Sequence, residues 1–69
     1  MEFGARNKIS GNVAAIKKGN IMCEVIVNLP GGGVMTSVMT VDSLEDMRLE
    51  TGDQVKVIVK AVNVLLAKE

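Results

Sequence analysis

The stretch Val34-Met35-Thr36-Ser37-Val38-Met39-Thr40-Val41 alternates in character, and Asp42-Ser43-Leu44-Glu45-Asp46-Met47, directly after it, does not. In the first part Met35, Met39 and Val41 share one face with Ser37, while Val34 and Val38 share the other with Thr36 and Thr40. Both faces are mixed, as expected of a strand lying between a core and an interface. In the second part the period changes. Ser43 with an acid three residues on, Asp46, predicts a helix start, and Leu44 and Met47 form an i, i+3 apolar pair. A third strand running straight into one short helix is the feature that decides the architecture.

Upstream, Ile21, Cys23, Val25, Val27 and Leu29 alternate with Met22, Glu24, Ile26 and Asn28, which predicts a strand over Ile21–Leu29. Pro30-Gly31-Gly32-Gly33 is the clearest turn signal in the chain. The first strand is expected from about Arg6 to Lys17, with Ile9, Val13 and Ala15 on one face and Lys8, Ser10 and Asn12 on the other. The alternation slips at Ala15-Ile16, so a bend or bulge is expected there. Lys17-Lys18-Gly19-Asn20 reads as a hairpin turn. Downstream, Glu50-Thr51-Gly52-Asp53 is another turn, Val55, Val57 and Val59 alternate with Lys56, Ile58 and Lys60, and Val62–Ala67 follows without a turn signal. The last two segments are expected as two strands, or as one long strand bent near Ala61. Eleven valines and five isoleucines in 69 residues favour strands throughout. The sum is an all-β fold: an OB-like five-stranded barrel with one short helix between strands 3 and 4.

Sixty-nine residues make one domain, 1–69, with no repeat or linker; residues 1–4 are expected to be disordered or to stem from cloning. A chain of this size buries only about 60% of its unfolded surface. One Cys and no His leave no intramolecular disulfide and no zinc site. Oligomerisation is then the expected source of extra buried area, in keeping with 48% hydrophobic residues and a mean hydropathy of +0.31. Eight basic and eight acidic residues cancel, and Phe3 is the single aromatic, which argues against nucleic acid. No apolar run is long enough to span a bilayer, and a lone Cys suits a reducing, cytoplasmic setting.

Without His, Ser–His or Cys–His catalysis is excluded, and an enzyme is not expected. Cys23 reads as a small buried hydrophobe on a valine face. Asp42, Glu45 and Asp46 read as acids favouring a helix N-terminus, since calcium loops need more ligands at other spacings. Gly31-Gly32-Gly33 lacks the Gly-Lys-Ser/Thr of a phosphate loop. The methionines are spread over separate elements and read as filler. What remains is a set of hydrogen-bond donors near strand ends: Arg6, Asn7, Thr40, Ser43 and Lys60. A tetrahedral dianion wants such a set, with no carboxylate among it. On spacing alone, surface charges at Arg6 and Lys60 are the stronger reading.

Several stretches, in order, resemble the molbindins, small molybdate-binding proteins related to the TOBE modules of molybdate transporters and regulators. Ala5-Arg6-Asn7-Lys8-Ile9 resembles their opening Ser-Ala-Arg-Asn motif, and Val13-Ala14-Ala15-Ile16-Lys17-Lys18-Gly19 their first hairpin. Met39-Thr40-Val41-Asp42-Ser43, Leu49-Glu50-Thr51-Gly52-Asp53-Gln54-Val55 and Val57-Ile58-Val59-Lys60-Ala61 are similar to three further motifs, so the resemblance covers nearly the whole chain. It implies a barrel that exchanges a strand between subunits, and a homo-oligomer, a hexamer built as a trimer of dimers. It implies cytoplasmic storage or homeostasis of molybdate, or tungstate, bound at subunit interfaces, with no cofactor, nucleic acid or membrane. The residues it assigns to the oxyanion are Ala5, Arg6, Asn7, Thr40, Ser43, Lys60 and Ala61, and a second site is placed loosely at Lys18, Gly19 and Asn20. The chain departs from the family at Gly4, where many members carry Ser; a lost hydroxyl donor there is worth about 1–3 kcal/mol if buried against the anion. Two rival readings stand beside this one: an oxyanion-sensing module acting on a partner protein, and an OB-type nucleic-acid binder.

Overall fold

The computed structural model describes residues 7–68. Four strands, β1 (Asn7–Lys18), β2 (Met22–Asn28), β3 (Val34–Thr40) and β4 (Gln54–Val59), form one antiparallel sheet in the order β3-β2-β1-β4, curled into a half-barrel. One helix, α1 (Val41–Met47), joins β3 to β4. The buried core is Val13, Cys23, Val25, Val27 and Leu44, the inward residues of β1 and β2 capped by one side chain of the helix.

β1 is long because it serves two partners. It pairs with β4 from Asn7 to Asn12 and with β2 from Asn12 to Lys18. The change of partner needs a bend, and the bend is a bulge. Val13 faces Val27 and Ala15 faces Ile26, so Ala14 is the extra residue. The slip in the alternation is therefore real but starts one residue before Ala15-Ile16. Gly11 permits the close approach of β2: a Cβ there would lie 2.6 Å from Val27 Cγ1 and 2.7 Å from the Asn28 carbonyl oxygen.

The helix starts earlier than Ser43 and Asp46 suggest. Thr40, still extended, is its N-cap, and its Oγ1 accepts the Ser43 N–H at 3.0 Å. The Val41 N–H donates to the Ile21 carbonyl at 2.7 Å, the last tie to the β2 side before the chain coils. Val41 thus opens the helix and does not end the strand. The helix stops at Arg48, in the left-handed region at φ 53°, with its N–H directed to the Glu45 and Leu44 carbonyls. A Cβ there is strained, so Arg48→Gly is expected to raise stability by about 1 kcal/mol. Urea unfolding measures this directly; a midpoint that does not rise means the exposed Arg48 side chain offsets the strain. The Glu50–Asp53 turn is pinned twice: the Asp53 carboxylate accepts the Glu50 N–H at 2.9 Å, and backbone bonds of 2.8 Å join Gly52 and Asp53 to Val13.

The fifth strand expected over Val62–Ala67 is not formed among the described residues. The bend near Ala61 is present, as a 3-10 turn over Ala61–Asn63. Beyond it the chain pairs with no strand among the described residues, and Leu65 and Leu66 stand 92% and 94% exposed. Among the described residues β3 and β4 are the edge strands of the sheet. The apolar hollow of about 230 Å³ lined by Val25, Val27, Met39, Val55 and Val57 includes residues of both edge strands. Among the described residues the strands form a half-barrel, with the apolar tail outside the sheet.

Candidate oxyanion site

Ala5 and Arg6 lie outside the described residues. Asn7 opens β1 directly opposite Val59, so it adjoins Lys60 and Ala61, which follow β4. Asn7, Met35, Val59 and Val64 line a hollow of about 440 Å³ at this end of the sheet. Lys60 is exposed and extended and caps the 3-10 turn, leaving its ammonium in solvent. Sequence reasoning did not single out Met35 or Val64 for this end. Met35 carried a signal, its place on the inward face of β3; Val64 carried none.

Thr40 and Ser43 form the other group. Thr40 Oγ1 accepts the Ser43 N–H and donates its own proton to Ser43 Oγ at 2.8 Å. The Ser43 hydroxyl, holding that bond as acceptor, keeps its proton to give outward. Both residues are exposed, and Leu44 beside them is buried and anchors the turn.

The two groups sit at opposite ends of the sheet. Thr40 pairs with Met22, near Lys18, the far end of β1 from Asn7. That is roughly 35 Å along the bent strand at about 3.3 Å per residue. Within one chain the sheet sets Asn7 opposite Val59, the residue before Lys60 and Ala61, and a hydrogen bond joins Thr40 to Ser43. It does not join the two sets around one anion.

Lys18, Gly19 and Asn20 form the hairpin turn expected of them, with the Gly19 N–H donating to the Met22 carbonyl at 2.8 Å. A groove of about 420 Å³ beside it is lined by Lys17, Lys18, Met22, Glu24 and Val38. The Glu24 carboxylate on that groove opposes an anion. Among the described residues no three of His, Cys, Asp and Glu are grouped to hold a metal cation, and no helix is long and apolar enough to cross a membrane.

Residues 4–66 match the TOBE domain model. The chain is 35% identical over 66 residues to molybdenum-pterin-binding protein 3 of Clostridium pasteurianum, covering 96% of this chain and 97% of that one. It superposes on the molybdate binding protein from Sporomusa ovata with a TM-score of 0.92 at 32% identity, over 99% of this chain and 100% of the other. It also superposes on the cytoplasmic molybdate-binding protein ModG, with molybdate bound, with a TM-score of 0.83 at 38% identity, over 88% of this chain and 43% of ModG. A family-model match over residues 4–66, together with relatives more than 30% identical over nearly the whole chain, leaves one assignment: the chain belongs to the TOBE domain family, among its molbindin-type members.

Proposed function

We propose that the protein binds molybdate, and tungstate with it, at sites shared between copies of the chain, and that it stores or buffers the anion in the cytoplasm. The observation that carries this reading is the split donor set. Asn7, Lys60 and Ala61 make one half-site, joined by Ala5 and Arg6; Thr40 and Ser43 make the other. A second subunit is what brings one half to the other. Arg6 and Lys60 supply the charge a dianion needs, the first as a planar fork and the second as a point charge. Asn7, Thr40 and Ser43 add neutral donors, and backbone N–H groups at Ala5 and Ala61 complete the shell. The reading is of a binder and not of an enzyme. Relatives of matching length named for molybdenum-pterin binding or molybdate binding support it, and the cytoplasmic setting follows the description of ModG.

The assembly is proposed as a hexamer, a trimer of dimers, in which Val62–Ala67 of one copy serves as the fifth strand of another. The exposed apolar tail and the open flank between β3 and β4 support the exchange: each supplies what the other lacks. Lys18, Gly19 and Asn20 are kept as a second, weaker anion contact, with Glu24 against it.

Calorimetric titration with molybdate in sulfate buffer tests the main reading. Saturable heat at micromolar protein is expected; no heat sinks it. A second reading, an oxyanion-sensing module acting on a partner protein, is favoured by one fact: the match spans only 43% of ModG, so the same unit occurs within a longer chain. Pull-down with and without molybdate separates sensing from storage.

A further inference from the structure

We infer that the outer face of the sheet carries a further small-molecule site, a row of three carboxamides fitted to one uncharged ring that bears a lactam. Asn12 is the residue at which β1 changes partner. Alone in β1, among the described residues, it pairs on both sides, with Asn28 of β2 and with Gln54 of β4. The neighbouring Val13 and Val27 are buried in the core, and Val55 packs against it. Alternation therefore turns Asn12, Asn28 and Gln54 to the outer face. Directly opposite residues hold their Cβ atoms about 4.5–5.5 Å apart, so the three carboxamides stand abreast over roughly 10 Å. Asn is depleted in strands, yet it sits in the middle of β1, where a β-branched residue would suit the pleat better.

With Ser10, Leu29 and Pro30 these side chains border a hollow of about 390 Å³, and no charged residue borders it. None of the three carboxamides makes a hydrogen bond among the described residues. A site without charge offers neither a dianion nor a metal cation the opposite charge it needs. A carboxamide carries an acceptor and a donor side by side in one plane, so its complement is a group with an N–H beside a carbonyl. A cyclic amide has that edge. It pairs with one carboxamide through two antiparallel hydrogen bonds, the way Asn and Gln engage the edge of a base. Asn12, in the middle of the row, makes that pair. Asn28 and Gln54 stand one strand to either side and serve the polar atoms left on a single six-membered ring. Leu29 and Pro30 give the ring an apolar wall. The row contains none of the residues assigned to the oxyanion, so the inference stands apart from that reading.

Uracil, a neutral six-membered ring with each N–H beside a carbonyl, is the probe. Gln54 is the single glutamine of the chain, so nitrogen-15 labelling of glutamine side chains leaves one carboxamide signal for magnetic resonance of the full chain. That signal is expected to shift saturably with uracil, in the presence of molybdate as in its absence. 1,3-Dimethyluracil keeps both carbonyls and loses both N–H groups, and is expected to leave the signal in place. Asn12→Thr, whose residue type suits a strand, is expected to raise the Kd for uracil at least about tenfold, because two hydrogen bonds are lost. Asn63→Thr, on the 3-10 turn, is expected to leave it unchanged. A signal that stays in place in millimolar uracil overturns the site. So do equal shifts from the two rings, a wild-type Kd for Asn12→Thr, or an equal weakening by Asn63→Thr. The comparison of the two rings uses the wild-type chain, so it decides the matter even where Asn12→Thr does not fold.

Discussion

Co-expressed Lys60→Ala and Ser43→Ala chains are expected to recover molybdate binding that neither variant shows alone. Each single variant removes one donor to a charged acceptor, worth about 1.5–3 kcal/mol, so each pure assembly should bind roughly tenfold to a hundredfold more weakly. Ser43→Ala is chosen over a change at Thr40 because the helix cap uses the Ser43 backbone N–H, which the variant keeps. In a site made from two chains, Lys60 comes from one copy and Ser43 from the other. A mixed pair then holds one intact site and one doubly broken site. Random pairing makes about half of all pairs mixed, so about a quarter of all sites should return to full affinity. Calorimetry at a molybdate concentration that leaves the single variants empty would show this as a restored stoichiometry. No recovery on mixing means both donors act within one chain, and the shared site is wrong. Lys17→Ala serves as the comparison: its charge lies on the hairpin groove and not at either half-site, and its effect should be far smaller.

Leu44→Ala is expected to cost about 2–5 kcal/mol, against a total stability of about 5–15 kcal/mol for ordinary domains and less for one this small. Leu44 is 2% exposed and is the buried residue of α1. It packs on Val13, Cys23, Val25 and Val27, so its loss opens a cavity in the core. The consequence reaches function. Leu44 holds the first turn of the helix against the sheet, and that turn presents Thr40 and Ser43 to solvent. Thermal unfolding should show a fall of many degrees, and molybdate should recover part of it by mass action on the native state. Met47→Ala, on an exposed residue of the same helix, should cost far less. Equal losses for the two would mean that the helix is not docked through Leu44.

β2 was legible from its alternation and from the turn residues on either side of it, and β3 from its β-branched residues after the Gly31-Gly32-Gly33 turn and from the change of period at its end, although both its faces are mixed. The bulge was legible as a slip near Ala15. Its location at Ala14 was not, since that depends on which residue of β1 loses its partner when β2 replaces β4. The helix was legible from the change of period, but its cap was misplaced. Ser43 and Asp46 look like a capping pair in sequence, yet Thr40 comes first along the chain, still extended and with its hydroxyl already aimed at the Ser43 N–H. The nearest competent acceptor wins.

The sequence by itself determined that this is a small, strand-rich chain with one short helix, no His and a set of hydrogen-bond donors near its strand ends. Those follow from residue type and period, which need no neighbours in space. Only the tertiary structure decided which donors meet. Asn7 lies opposite Val59, just before Lys60 and Ala61 in sequence, because β1 changes partner midway and sends its first half along β4. Thr40 and Ser43 end at the opposite pole because β3 runs along the other flank of β2. Val62–Ala67, a strand by its residue types, pairs with no strand among the described residues, and strand formation needs a lateral partner for its backbone groups.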